Sequence, residues 1–368
     1  MKVRDIQNVM EAWAPREISW DRDNVGLQVG DLGAEVRGIL VALDVTEQVI
    51  EEAKRKKANL LISHHPLLFT PVKSVTPSTD TGRCIRSLVQ EGMNLFSAHT
   101  NLDFTRGGTS FALARALQLH DVDFLYKSCR VQRKIVTFVP ADDVQRVASA
   151  MAEAGAGRIG NYDHCSFRTT GLGTFRGNDA SRPSVGKRGE LESVPEVKLE
   201  MIANQWQVPG IIGAMKKSHP YEEVAYDVYP LENTSNDYGM GIIGNLTRPM
   251  ELGHFLRTVK KALGASGLRC TGDPRRKVLR VAACGGSGSD LTDEAIAQGA
   301  DVFVTSDVKY HAFHNAKNRI ALIDAGHYET EHLVIDSVVS RLKQELLTID
   351  AQIPVYAART STNPVHYV

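Results

Sequence analysis

Apolar positions along the chain follow helical spacing in some stretches and strand-like runs in others. Val3, Ile6, Val9 and Met10 recur at helical spacing, which predicts a helix over Met1–Ala14. The β-rich run VRGILVALDVT (Val36–Thr46) precedes EQVIEEAKRKKA, a helix whose acids lead and bases trail, as the helix dipole favours. NLLISHHPLLF predicts a second strand, STDTGRCIRSLVQEG a helix closed by Gly92, MNLFSAHTNLDF a third strand and GGTSFALARALQL a further helix. This βαβαβα order argues for a mostly parallel sheet flanked by helices.

After Val131 the texture changes. RKIVTFVP predicts a strand, ADDVQRVASAMAEAGAG a helix, and DHCSFRTTGLGTFRG two short strands around glycines. NDASRPSVGKRGELESVPE is polar and rich in Gly and Pro, so it reads as a loop. EVKLEMIANQWQVPGIIGAMKKSHPYEEVAYDVYPLEN then gives strand, helix and strand. Past NTSNDYGMG the first texture returns, with ELGHFLRTVKKALG and DLTDEAIAQGA as helices and KVLRVAACGG, DVFVTSD and IALIDAGH as strands. ETEHLVIDSVVSRLKQELL closes the series as one helix. The economical organisation is an α/β core domain, residues 1–130 and 235–368, interrupted by an α+β domain at 131–234.

Composition narrows the function classes. The 43 Lys and Arg balance 43 Asp and Glu, so nucleic acid is an unlikely partner, and no apolar run is long enough to span a bilayer. The charged N-terminus, MKVRDIQNVMEAWAPREISWD, reads as a helix, not a signal peptide. Five scattered cysteines in no CxxC pair fit a reducing, cytoplasmic location.

The chemistry gathers at four strand exits: SHHP (His64, His65), SAHTNLD (His99, Asp103), TSDVKYHAFH (Asp307, His311, His314) and DAGHYETEH (His327, Glu331, His332). In a parallel sheet, strand C-termini share one edge, so all four groups can meet. Pro66 stops the strand just after the histidine pair. His64 and His65 are neighbours and point in different directions, which suits two adjacent cations better than one. His327 and Glu331 stand at i,i+4 spacing, which puts imidazole and carboxylate on one helix face. Asp103 and Glu331 can each bridge two cations. Such a mixed N/O set suits Zn, Fe, Mn or Ni better than Mg or Ca.

The same residues carry a family resemblance. WDRDNVGLQVGD, ALDVT, SHHPLLF, AHTNLD, TSDVKYH and DAGHYETE, in this order, resemble the NIF-three-like dinuclear-metal-centre hexameric family, whose members are called GTP cyclohydrolase 1 type 2 homologs. GRIGNYDHCSF, GLGTFRG and HPYEEVAYDVYPL resemble the PII/CutA-like insert of its longer bacterial members. The resemblance implies two divalent metal ions per subunit, zinc foremost, held by His64, His65, Asp103, His327 and Glu331. It also implies a homohexamer built as a trimer of dimers. Ser306 stands where many relatives have Gly in a TGD pattern.

Two functions follow as expectations. One is a metal-dependent hydrolase acting on a nucleotide or another phosphate-bearing small molecule through a water acidified between the cations, with His99 or His311 as acid/base. The alternative is a non-catalytic metal-binding scaffold or sensor. Among secondary features, AACGGSGSDL has the form of a loop that cradles a phosphate on backbone N–H groups, or of a plain βα turn. Asp307 and Tyr310 are candidates for groups behind the ligands. Asp23 and Asn24 fit an Asx turn before Gly26, and His219 reads as structural.

Overall fold

The computed structural model describes residues 1–129 and 131–368. Two compact units emerge: residues 1–127 with 237–368, and residues 128–236. The boundary expected after Arg130 falls on the residue outside this description, and Cys129 is described in backbone only.

The first unit is α/β, as its pattern predicts, but it holds two sheets where one was expected. The five-stranded sheet runs Gly26–Val29, Asn94–Ser97, Leu60–Ser63, Ile39–Ala42, Val355–Ala357. Its pairings are parallel apart from the antiparallel edge strand Gly26–Val29. Ile39, Val41, Leu60 and Ile62 pack on one face against the helices Val3–Trp13 and Val334–Thr348, while Leu40, Leu61 and Leu95 pack on the other against Glu47–Arg55 and Asp80–Gln90. Burial on both faces explains why these strands are continuously apolar instead of alternating.

The six-stranded sheet runs Arg269–Cys270, Ala321–Asp324, Val302–Thr305, Lys277–Ala283, Thr234–Glu251, His120–Cys129. Its three central strands are parallel. Phe255 and Val259 of the helix Leu252–Leu263 cover one face, and Phe303 fills the other. The second sheet was hidden because NTSNDYGMG, read as a boundary, begins the 18-residue strand Thr234–Glu251. Its small residues serve close backbone approach: a Cβ at Gly239 would sit 2.4 Å from the Tyr126 carbonyl oxygen.

Other boundaries shift for local reasons. The third strand ends at Ser97, and HTNLD turns into the one-turn helix Thr100–Asp103. The expected C-terminal helix is two, His327–Glu331 and Val334–Thr348. DLTDEAIAQGA gives the short helix Thr292–Ala297 behind a 3₁₀ turn, Ser289–Leu291.

The second unit is α+β. Its antiparallel sheet runs Phe167–Phe175, Glu192–Asn204, Gln132–Pro140, Tyr226–Pro230. The helices Val144–Glu153 and Val208–Ser218 bury Val147, Met151, Ile211 and Met215 against Ile135, Val139, Leu199 and Met201 on one face of it. DHCSFRTTGLGTFRG forms one nine-residue strand in place of two, with Gly171 and Gly173 inside it. The following strand starts at Glu192, within the segment read as a loop. Among the described residues no helix is long and apolar enough to cross a membrane.

Candidate metal centre

The parallel strands of the first unit deliver their C-terminal ends to one place. Leu60–Ser63 exits into His64 and His65, Asn94–Ser97 into His99 and Asp103, and Ala321–Asp324 into His327 and Glu331. Backbone N–H groups of His64 and His65 donate to the Ala42 and Leu43 carbonyls, so the parallel ladder extends through the pair before Pro66 breaks it.

Three overlapping groups of potential ligands result: His64, Asp103 and Glu331; His65, His327 and Glu331; and His64, His65 and His99, the ligand atoms of each lying within 4.8 Å of one another. The five residues expected to hold metal are thus drawn together, with Glu331 common to the first two groups. The adjacent imidazoles of His64 and His65 lie 5.0 Å apart and tilted by 43°; they share the group with His99, and each also belongs to a carboxylate-containing group without the other.

Each imidazole is fixed from behind. Nδ1 of His64 is 2.9 Å from the Ala98 carbonyl oxygen, Nδ1 of His65 is 2.7 Å from Asp44, Nδ1 of His327 is 2.6 Å from Asp307, and Nδ1 of His99 is 2.9 Å from Asp23. Nε2 then faces the cluster: from His65 it lies 2.9 Å from Glu331 Oε2, and from His327 3.0 Å from the same oxygen. An outer oxygen on one ring nitrogen and a free second nitrogen is how metal-binding histidines are held. In the buried interior, His64 Nε2 and Asp103 Oδ1 have no hydrogen-bond partner, although they are 3.5 Å apart. Two orphaned polar atoms would be costly in a site meant to stay empty. The donor set therefore fits a cation.

The electrostatics agree. Burial works against charge on His65, but hydrogen bonds to Asp44 and Glu331 outweigh it and push its pKa up to about 10. The hydrogen bond to Glu331 takes His327 up to about 9. Burial also opposes the Glu331 carboxylate, yet the three imidazoles around it hold it well below the usual range. Burial raises Asp103. The cluster thus gathers positive charge around a carboxylate, and a cation can replace those protons.

The backing residues come from positions weighed for smaller roles. Asp23 is no Asx-turn residue alone: its carboxylate holds His99 and also accepts from the Thr100 backbone N–H and hydroxyl. Asp44, in ALDVT, holds His65 and was missed; its position just past a strand in the same parallel sheet as SHHP was the signal. Asp307 takes its expected supporting place at a positive φ of 52°.

His311 is not among these residues. It is exposed on the helix Tyr310–Ala316, its ring meets Tyr310 at 5.5 Å, and it belongs to none of the three groups. His314 likewise packs on Tyr310, and His332 stacks on Tyr328. None of the three belongs to the ligand groups. The loop after Lys277–Ala283 is also not a phosphate cradle. The N–H groups of Gly285, Gly286 and Gly288 donate to the hydroxyls of Ser110, Thr330 and Thr305.

That loop supports Glu331 instead. Gly286 has φ +65°, and a Cβ there would lie 2.1 Å from Glu331 Oε1. Gly286→Ala is expected to cost about 1–2 kcal/mol from backbone strain alone and to displace the carboxylate. Thermal unfolding and metal content should both fall. Unchanged values for both would mean that the loop yields without moving Glu331.

Comparison with known proteins places this geometry. The Duf34/NIF3 (NGG1p interacting factor 3) family model matches residues 1–364. A Halalkalibacterium halodurans protein named GTP cyclohydrolase 1 type 2 homolog is 38% identical, with all of both chains covered. A Bacillus subtilis protein of the same name is 36% identical over 99% of this chain and 98% of its own. The crystal structure of a Bacillus cereus protein related to NIF3 superposes with a TM-score of 0.89 at 37% identity, covering 100% of this chain and 99% of that one. The match of sequence and fold runs through every segment that feeds the His and carboxylate cluster, and the chain belongs to the Duf34/NIF3 family.

Proposed function

We propose that the cluster is a dinuclear metal centre and that the protein is a metal-dependent hydrolase of a nucleotide-like substrate. The carrying observation is the buried pair of orphaned atoms, His64 Nε2 and Asp103 Oδ1, beside a carboxylate shared with His65 and His327. In this reading His64, Asp103 and Glu331 hold one cation and His65, His327 and Glu331 the other, with zinc the best fit to the N/O set. Bound divalent cations would supply charge stabilisation and an acidified water. The chain's own contribution is orientation and proton transfer. Asp44 and Asp307 lock the rings of His65 and His327. Burial works against the Asp23 carboxylate, but hydrogen bonds from His99 and Thr100 bring it to about 2, so it stays an anion that anchors His99 Nδ1. The other ring nitrogen of His99 is then free to pass a proton to a leaving group.

The name shared by the relatives, GTP cyclohydrolase 1 type 2 homolog, supports a purine nucleotide as substrate. We place the protein in the cytoplasm as a homohexamer, a trimer of dimers, with residues 131–234 as a PII/CutA-like module. The described cysteines are unpaired, in keeping with that compartment.

The test is turnover by metal-loaded protein of GTP and a panel of nucleotides and phosphodiesters, followed by chromatography. Turnover should fall by about 100-fold or more in His99→Ala at unchanged metal content. A loaded protein that turns over none of the panel favours the scaffold or sensor reading.

A further inference from the structure

The inserted unit holds a cavity of about 680 Å³ that plays no part in the function proposed above. Its size lies within the range of small-molecule pockets, about 300–1,000 Å³. It forms against the strands Phe167–Phe175 and Glu192–Asn204. Cross-strand register sets Gly171 beside Glu196 and Thr169 beside Lys198, and all four residues line the cavity. A Cβ added at Gly171 would meet nothing within 4 Å, so the glycine leaves open floor. Phe138, Phe175 and Tyr221 supply apolar wall, the last two with ring centroids 6.1 Å apart.

Several polar groups of the wall are already engaged with the protein. Tyr221 donates its hydroxyl to Glu196 at 2.8 Å, Lys198 pairs with Glu200 at 3.4 Å, and Glu222 accepts from the Arg182 backbone N–H. The loop that closes the cavity is itself held, with the Gly189 N–H donating to the Gly177 carbonyl at 2.7 Å. Among the described residues, the guanidinium groups of Arg176 and Arg182 make no hydrogen bond or ion pair, and Glu223 is the one wall carboxylate in the same position. Glu196 and Glu222 keep their charge when they accept from neutral donors, so Arg176, Arg182 and Lys198 balance Glu196, Glu222 and Glu223 in the wall, and the two guanidinium forks are its cations that no carboxylate engages, beside an aromatic wall. Guanidinium forks match carboxylate and phosphate geometry.

We propose that this cavity binds a small anionic aromatic molecule, its ring against Phe138, Phe175 and Tyr221 and its carboxylate or phosphate on Arg176 and Arg182. Gly171 keeps the space for the ring. The site stands apart from the metal-centre reading and does not depend on it.

Saturation-transfer NMR on the full-length protein tests this with benzoate, phenyl phosphate and AMP at millimolar concentration, against benzyl alcohol and adenosine as uncharged counterparts. At least one anion should bind about tenfold or more tightly than its counterpart. Arg176→Ala/Arg182→Ala should remove that preference, and Gly171→Leu, which fills the floor without altering charge, should abolish binding at an unchanged melting temperature. Signal from none of the three anions, equal binding of the uncharged counterparts, or undiminished binding by a folded Gly171→Leu protein would each overturn the proposal.

Discussion

Replacing Glu331 with glutamine is expected to strip the centre of its metal. Glu331 contributes to two of the three ligand groups, and its Oε2 stands 2.9 and 3.0 Å from the inward nitrogens of His65 and His327. Glutamine keeps the size but removes the negative charge and one of the two oxygens, so the His65 and His327 group is left with no carboxylate and the His64 group with Asp103 alone. Loss of a group behind a ligand costs about 10–100-fold in metal affinity, and loss of a shared ligand should exceed that. Metal per chain, measured by plasma emission after dialysis, should fall to background in Glu331→Gln. In Asp44→Asn, which acts only through His65, it should fall partway under the same dialysis. His311→Ala, at an exposed position outside the cluster, should keep its full content. Full metal in Glu331→Gln would remove the carboxylate from the centre and with it the dinuclear assignment.

How far the sequence led to this site depends on the type of signal. SHHP was legible because an apolar strand followed by two imidazoles and a proline has few other uses, and the parallel ladder does carry the pair to the strand exit. His327 and Glu331 were legible because the i,i+4 spacing survives in even a five-residue helix. Asp103 came with HTNLD, although the stretch folds as a helical turn and not as strand. Local periodicity could not show that these exits belong to two sheets. The strand Thr234–Glu251 is spelled in residues that look like a loop, and its partners are set by tertiary approach at Gly239. The same blindness applies to His311. A histidine one residue past a strand exit and one a helical turn further on look alike in sequence, yet only the backbone decides which faces the cluster. Asp44, Asp23 and Gly286 act through a partner far along the chain, His65, His99 and Glu331 respectively, and no local pattern announces that.

The metal-free protein should become less stable as pH rises above neutrality, and metal should reverse that trend. His65 sits at about 10 and His327 at about 9 in the folded chain, both above the ordinary imidazole value near 6.5. A group raised on folding contributes stability that is complete below its unfolded value and is lost as pH climbs through its folded value. The loss from this pair therefore begins near pH 6.5 and is complete only past about 10. Glu331 has the opposite sign: held well below the usual carboxylate range, it contributes above about 4.5 and fades as pH falls below that. Together the three place the cluster's greatest contribution between roughly pH 4.5 and 6.5. Ligation needs deprotonated imidazole, so metal competes with those same protons and binds more tightly as pH rises. Melting curves of chelator-treated protein should thus decline from pH 6.5 to 10, while zinc-loaded protein holds or gains. Adding zinc to metal-free protein at pH 7 in weak buffer should release protons, one each from His65 and His327, with His64, which is also raised, adding to them. A flat metal-free profile together with metal uptake that releases no protons would mean that the imidazoles are already neutral. The hydrogen bonds of His65 and His327 to Glu331 would then not be the network that metal displaces.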